Sequence, residues 1–551
     1  MKKIVTIWML LPWLTAAAAE DAGPVVEVRG DRTVIYPQRM ALTGEETLMD
    51  VLEMYPDVMG AGFDELLTGS GLHDSYQLRL ENVAVSGDTR LLVTQIKACL
   101  ISKIQICDNA GVAKGRTGDG RVIDVNLLRA EEGVHGFLSL QGGTDGQLAP
   151  SANVRLGSRK TDIWSAVTYT RDDYKGGEDK VENLHFQMTS RFSPRDLLRT
   201  YVTQSAAVSD LTAGSSRLHV RNRSVMARLR YFHTFNELGT ELLTMLSWAH
   251  HYTPGDTYDS SPATRRHEAA RTNSPAWMLE LNTPLCTKKL SLMAGYEGGI
   301  DNIRYSLDDE TEPDNNERSR YRVMCNSLYL QLNCVAGPLL LTVGDRVMFY
   351  HYRRRGAPKE WTLNDTRNNL QASVVWTPRR GHQVQAAYYR KFRNPSAMSI
   401  DPLEEVKTDQ YKLSYACSQP SFTGKLDGSI YSSEGSRAWA IDGAVYKKAG
   451  VLSLTAGFNV YSTRADDSER MTFANIRLAP VLYLPQSWRL SARVVWFSAR
   501  SPYRSLNDNS AFYGGVQVDK RLGRHWSIHA EWHDMFCRQY SAVLGGIMYC
   551  L

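Results

Sequence analysis

From Gly133 to the end of the chain, apolar and polar residues alternate in segments of about ten, and no other feature constrains the fold as much. In Trp526-Ser527-Ile528-His529-Ala530-Glu531-Trp532-His533 one face carries Trp, Ile, Ala and Trp, and the other Ser, His, Glu and His. Leu184, Phe186, Met188 and Phe192 likewise oppose Asn183, His185, Gln187 and Arg191. A period of two means strands, but a soluble sandwich would alternate as well. Number and connection length decide. About 22 such segments fit between Gly133 and Leu551, roughly 19 residues each with the connection.

The connections alternate in length. After even segments they are tight, as at Ser193-Pro194-Arg195, Phe235-Asn236-Glu237, Ala336-Gly337-Pro338 and Leu522-Gly523-Arg524. After odd segments they are longer: Thr253–Asn273, Asp301–Glu317, Arg353–Thr366, Asn394–Glu404 and Ser498–Asn507. Short turns on one side and long loops on the other predict an antiparallel transmembrane β-barrel, which satisfies every backbone group in lipid by closing on itself. Trp488, Trp496, Trp526 and Trp532, near segment ends, fit an interfacial aromatic girdle.

The N-terminus reads as a signal peptide, residues 1–19. Lys2 and Lys3 precede an apolar run from Ile4 to Trp13 and then Ala16–Ala19, so the mature chain is expected to start near Glu20. That run is well short of the ~20 residues a membrane helix needs. The formal charge of +5 on 551 residues gives no reason to expect a nucleic-acid partner. Eight cysteines without a C-x-x-C give no zinc site. Cys99 and Cys107 form the only close pair near the N-terminus, and most of the others read as small hydrophobes in alternating segments.

Residues 20–132 have a different texture. Thr47–Tyr55 has helical spacing, with Thr43 or Gly44 as cap and Pro56 as stop. Short strands are expected at Val25–Arg29, Thr33–Tyr36, Gln77–Leu80, Leu91–Val93, Ile101–Cys107 and Arg121–Leu127. The fold class is therefore an all-β membrane protein, with an N-terminal α+β plug, 20–132, in the lumen of a barrel formed by 133–551. In Lys114–Leu128 the glycines run G-x-x-G-x-G, as a phosphate loop might begin. They lead into a strand instead of a helix, which suits the close of a plug.

These residues resemble the TonB-dependent outer-membrane receptors, especially their Bacteroidota-type members. Thr47-Leu48-Met49-Asp50-Val51-Leu52 with Tyr55-Pro56-Asp57-Val58 is similar to the family's T-L-x-D-x-L…P-G-V opening. Arg79-Leu80-Glu81-Asn82-Val83 is similar to its D-G-V turn, and Ile104-Gln105-Ile106 followed by Gly115–Val125 to its plug-closing I-E-V…G-G-V-I-N-I. Asp57, Arg121 and Asp124 depart from that pattern. The resemblance implies an outer-membrane receptor importing a scarce nutrient (siderophore, corrinoid, glycan or peptide) with energy from TonB. The rival is a non-transporting plugged barrel with a structural or surface-binding role. The resemblance offers Val25, Val26, Glu27 and Val28 as the TonB contact, although the same residues read equally as the first plug strand. It also points Phe63 and His73, in a plug loop, towards the ligand; ordinary packing inside the plug is the alternative.

The outward connections carry charge. Asp308–Asp314 is acidic, and its neighbours hold Arg265-Arg266 and Arg353-Arg354-Arg355, with Trp361 close by. These residues either form a charged mouth for an ionic ligand or serve as latches and contacts to lipopolysaccharide phosphates. The expected partners are outer-membrane lipid and lipopolysaccharide, TonB and an extracellular ligand. His529, Glu531 and His533 lie in line, a poor tetrahedron for a metal. Arg29-Gly30-Asp31 would face the periplasm. No G-x-S-x-G, H-E-x-x-H or EF-hand pattern occurs. Neither an enzyme nor a cofactor is expected.

Overall fold

The computed structural model describes residues 24–550 apart from 30–31, 41–45, 54–57, 61–65, 69–75, 81–82, 85–92, 94–95, 108–120, 129–131, 145, 175–176, 214–215, 261–262, 286–288, 311–315, 357–358, 394–405, 434, 466–468, 502–510, 534 and 536–540. The expected signal peptide, the expected caps Thr43 and Gly44, Phe63, His73, the glycine run Lys114–Gly120, and Cys286 and Cys537 lie outside the described residues.

The chain opens with β1 (Val26–Arg29), β2 (Arg32–Ile35), the helix α1 (Leu48–Glu53), β3 (Val58–Gly60), β4 (Leu66–Thr68), β5 (Tyr76–Leu80), β6 (Val83–Ala84), β7 (Ile101–Cys107) and β8 (Arg121–Leu127). Six of these strands form one sheet in the order β1-β2-β7-β8-β5-β6, with β5 and β8 parallel. The β-branched run Val122-Ile123-Asp124-Val125 explains why β8 is central, since it is buried throughout. Leu48, Val51 and Leu52 of α1 pack on the same core as Ile104, Ile123 and Val125. The helix is capped by Thr47: the Asp50 amide donates to Thr47 Oγ1 at 3.2 Å, and the Thr47 amide donates back to Asp50 Oδ2 at 2.7 Å. This reciprocal pair is a capping box, closed by the Asp three residues on.

The remaining strands, β9 (Gly133–Gly143) through β30 (Ala542–Cys550), are 22 antiparallel strands in sequence order, closed by the pairing of β30 with β9. Each wall strand is two-sided. In β18 (Glu317–Ala336) Ser319, Tyr321, Cys325, Ser327 and Tyr329 are buried towards the lumen, while Leu328, Leu330 and Leu332 are exposed on the outside. Arg155 and Asn153 of β10 (Leu148–Gly157) are buried, and Val154 and Leu156 are exposed. Trp248, Trp376, Trp488, Trp526 and Trp532 are also exposed. A wall that is apolar outside and polar inside is built for a bilayer.

Three of the expected long connections are shorter than the sequence suggests. Strands β14 (Ser216–Thr234), β15 (Glu241–Ser260), β16 (Ala263–Pro284), β17 (Leu290–Asp309), β18 and β19 (Leu339–Gly356) are 18 to 22 residues long. A tilted crossing takes about 9–11 residues. Most of Thr253–Asn273, and the flanks of 301–317 and 353–366, are therefore strand that continues above the membrane as paired hairpins. Both faces of a hairpin there meet water, so its composition looks like that of a loop.

Cys99 and Cys107 are both free, and β7 lies between them. Its seven residues at ~3.3 Å each hold the two apart by roughly 20 Å, far beyond the ~7 Å Cα limit of a disulfide.

Candidate functional site: the plug seat and the lumen wall

Plug and wall meet first along β1. Val25, Val26 and Val28 are 3%, 7% and 6% exposed. The Val28 amide donates to Ser418 Oγ at 3.0 Å, and Thr423 Oγ1 donates to the Val26 carbonyl at 2.5 Å. Ser418 and Thr423 sit at the turn between β22 (Val406–Gln419) and β23 (Phe422–Ser433), on the short-turn side. Of the two readings left open for Val25–Val28, the geometry is that of the first plug strand. Glu27 alone keeps some exposure and pairs with Arg29 at 2.8 Å.

The second contact is ionic. Glu46, just ahead of the capping box, is fully buried, and its Oε1 lies 3.5 Å from Arg489 Nε on β27 (Trp488–Phe497). Arg489 also bonds Asp519 of β28 (Phe512–Leu522) at 2.7 Å, and Asp519 holds His529 Nδ1 of β29 (Trp526–His533) at 2.7 Å. Glu531 completes the chain, 3.6 Å from His529 and 3.0 Å from Arg493. His529 and Glu531 thus belong to a wall network that receives the plug. Buried charges persist only when paired in this way. Three adjacent strands supply cations and anions in alternation, and the plug supplies one more anion.

Higher on the wall, Arg346 of β19 bonds Glu297 of β17 at 2.8 Å and lies 4.5 Å from the Tyr329 ring centroid. Tyr329 donates to Glu280 of β16 at 2.6 Å. The ring lies so close over Gly295 that a Cβ there would fall 2.2 Å from it. From the plug, Arg79 of β5 faces this cluster. Burial pushes its guanidinium below the ordinary value, opposed by Asp124 of the plug and Glu297 of the wall.

Above this level the lumen face turns aromatic. Tyr350 and Tyr352 stack at 5.4 Å, with Arg367 of β20 (Trp361–Arg379) 4.9 Å from the Tyr350 centroid and Trp361 and Leu363 packed alongside. Across the wall Tyr461 meets Phe473 at 5.1 Å, and Phe497 packs with Val495 and Tyr513. The cations here are matched: Arg367 with Asp365 at 2.5 Å, and Arg354 with Glu317 at 2.7 Å.

The expected arginine mouth is divided by strand geometry. Arg354 points inward with its side chain fully buried, paired with Glu317 and bonded to Tyr321 at 3.0 Å. Arg353 and Arg355 are exposed on the opposite, outer face. Three consecutive residues of a strand cannot act together, because successive side chains leave opposite faces. Trp361 lies with the aromatic wall. Arg265 pairs with Asp256 at 3.1 Å in its own hairpin, and Asp308 lies 3.6 Å from Arg318. The plug seat was not legible in the sequence, since Glu46 and Arg489 are separated by most of the chain and neither carries a local motif.

No known protein family description matches the chain, and no curated protein is similar to it in sequence. Solved structures match over nearly its whole length. The copper transporter OprC superposes with a TM-score of 0.76 at 10% identity, covering 95% of this chain and 100% of that one. The ferric citrate transporter FecA in its unliganded form also gives 0.76, at 11% identity over 96% and 98% of the two chains. The alcaligin outer-membrane receptor FauA of Bordetella pertussis gives 0.70 at 12% identity over 95% of each. At these identities the likeness is one of fold.

Proposed function

We propose that the chain is an outer-membrane receptor that takes up a scarce solute through a barrel closed by its own plug, with TonB doing the work from the periplasmic side. The observation that carries this reading is the plug seat. The lumen holds a separate sheet, tied to the wall by hydrogen bonds along β1 and by the Glu46–Arg489 pair. A solute cannot pass without work on that sheet. β1 is an edge strand of the sheet and its first element, bonded within the sheet to β2 alone. Force applied ahead of Val25 would therefore reach the Ser418 and Thr423 contacts before the plug core. The aromatic wall suits a ligand with flat or apolar faces, and the matched Arg354 and Arg367 leave little net charge there for a bare ion.

One observation favours a second reading, a static plug in a binding or structural barrel: Val25–Val28 is held in the sheet instead of lying free. Crosslinking separates the two. Glu27→Cys should crosslink to the C-terminal domain of TonB in cells, and deleting the gene should slow growth when iron, copper, corrinoid or glycan is limiting. No crosslink from any position between 20 and 30, together with unchanged growth on every limited nutrient, would overturn uptake.

A further inference from the structure

The outer face of β16–β19 carries an arrangement that the plug and lumen do not use. On β18 the outward residues run Leu332, Leu330, Leu328, Asn326, Met324, and then Arg322, Arg320 and Arg318. From Leu332 to Arg322 is about 33 Å of strand, or about 24 Å of height at ~45° tilt, which matches the ~25 Å apolar band of such barrels. Arg322 therefore stands where hydrocarbon gives way to headgroups, on the long-hairpin side. By the same alternation Arg271 of β16 shares a face with Trp277 and Leu279, Arg304 of β17 with Tyr296 and Ile300, and Arg353 and Arg355 of β19 with Val347 and Phe349.

These arginines are registered against one another. Arg271 pairs with Arg304, Arg304 with Arg320, Arg320 with Arg355, and Arg322 with Arg353, each directly opposite on the neighbouring strand. Directly opposed like charges, with Cβ atoms about 5 Å apart, oppose sheet formation. All six are exposed, and among the described residues none has an ion pair. The outward carboxylates nearby are engaged elsewhere: Asp256 lies 3.1 Å from Arg265 and 2.9 Å from His267, Asp308 lies 3.6 Å from Arg318, and Glu360, next to Arg355, accepts from the Gly356 amide at 3.2 Å. Every cation in the array is an arginine, whose planar fork matches phosphate oxygens two at a time.

We infer that this array is a binding site for a multiply phosphorylated glycolipid of the outer leaflet, its phosphates lying between the arginine rows and its acyl chains against the leucine face below. The anion removes the like-charge conflict that the bare sheet carries. The inference rests on the outer-membrane placement in the proposal above, but not on uptake.

The test uses the full chain, folded and purified in detergent, titrated with bis-phosphorylated lipid A and followed by native mass spectrometry. The wild type should bind it, and enzymatically dephosphorylated lipid A should bind weaker by about tenfold or more. The triple variant Arg304→Gln, Arg322→Gln, Arg353→Gln should lose binding to the same degree, with the heat-modifiable gel mobility of the barrel retained. Should the triple fail to fold, Arg322→Gln alone should show a smaller loss in the same direction. Equal binding of the two lipids, equal binding by the variant, or displacement of lipid A by millimolar inorganic phosphate would each overturn the site. Lost binding with the TonB crosslink intact, or the reverse, tells which of the two proposals has failed.

Discussion

Arg489 of the wall lies 3.5 Å from Glu46 of the plug, and both side chains are almost wholly out of water. The pair joins the sheet that precedes the barrel to one of the last strands of the wall. Arg489 has a second partner in Asp519, at 2.7 Å. Glu46→Ala should therefore loosen the plug and spare the barrel. The expected loss is on the order of 2 kcal/mol, the weight of a buried charge-assisted contact. Hydrogen exchange should show faster opening of β1 and α1, with barrel strands unchanged. Uniform protection across plug and wall would contradict the role given to this contact.

Arg353 and Arg354 are neighbours with opposite fates, which makes a paired test of the wall's orientation. Arg354→Ala leaves Glu317 buried beside Ser319 and Tyr321. Losing one partner of a buried pair costs about 3 kcal/mol. Arg353→Ala should change stability by no more than about 0.5 kcal/mol, as exposed substitutions do. Urea unfolding in lipid vesicles would measure both, and a larger loss at Arg353 than at Arg354 would mean that the strand is turned the other way.

Asp345 faces the lipid side of β19 between Leu330 and Leu370, its registered neighbours. One carboxylate oxygen is buried with no hydrogen-bond partner. A lone acid on the bilayer face opposes insertion. Asp345→Leu should raise unfolding stability by on the order of 1 kcal/mol. A stabilisation absent in vesicles would point to a partner for this carboxylate at the barrel surface.

Gly295 is covered by the Tyr329 ring. Gly295→Val should push the ring aside, break the Tyr329–Glu280 bond and destabilise the wall by about 1–3 kcal/mol, as overpacking does. Tyr329→Phe in the same background should then cost little more. Strict additivity of the two changes would show that ring and glycine are not coupled.

The parts of this fold that were legible in the sequence are those with a local period. Leu328, Leu330 and Leu332 alternate with Ser327, Tyr329 and Gln331 because one side of a single wall is lipid and the other is not. Such patterns predict the strand number and the short-turn side. Strand ends were hidden, because above the membrane both faces of a hairpin are wet and the alternation fades. The arginine triple has the composition of a loop patch, where neighbours act together, but it lies in a strand, where they cannot. The helix cap sits at Thr47, the start of its own T-x-x-D box, with the expected Thr43 and Gly44 outside the described residues. Glu46 and Arg489 carry no signal that a neighbour in sequence could reveal.

The barrel is sealed by Phe137–Gly143 against Leu544–Cys550, the first barrel strand against the last. Until Cys550 is delivered, the sheet has two bare edges, and the cylinder exists only as an open gutter. The plug leaves the ribosome before any of it. The order of the chain therefore puts the plug sheet on hand before the seam shuts. Deleting β30, Ala542–Cys550, should strand the protein at that last step, with the other barrel strands already made.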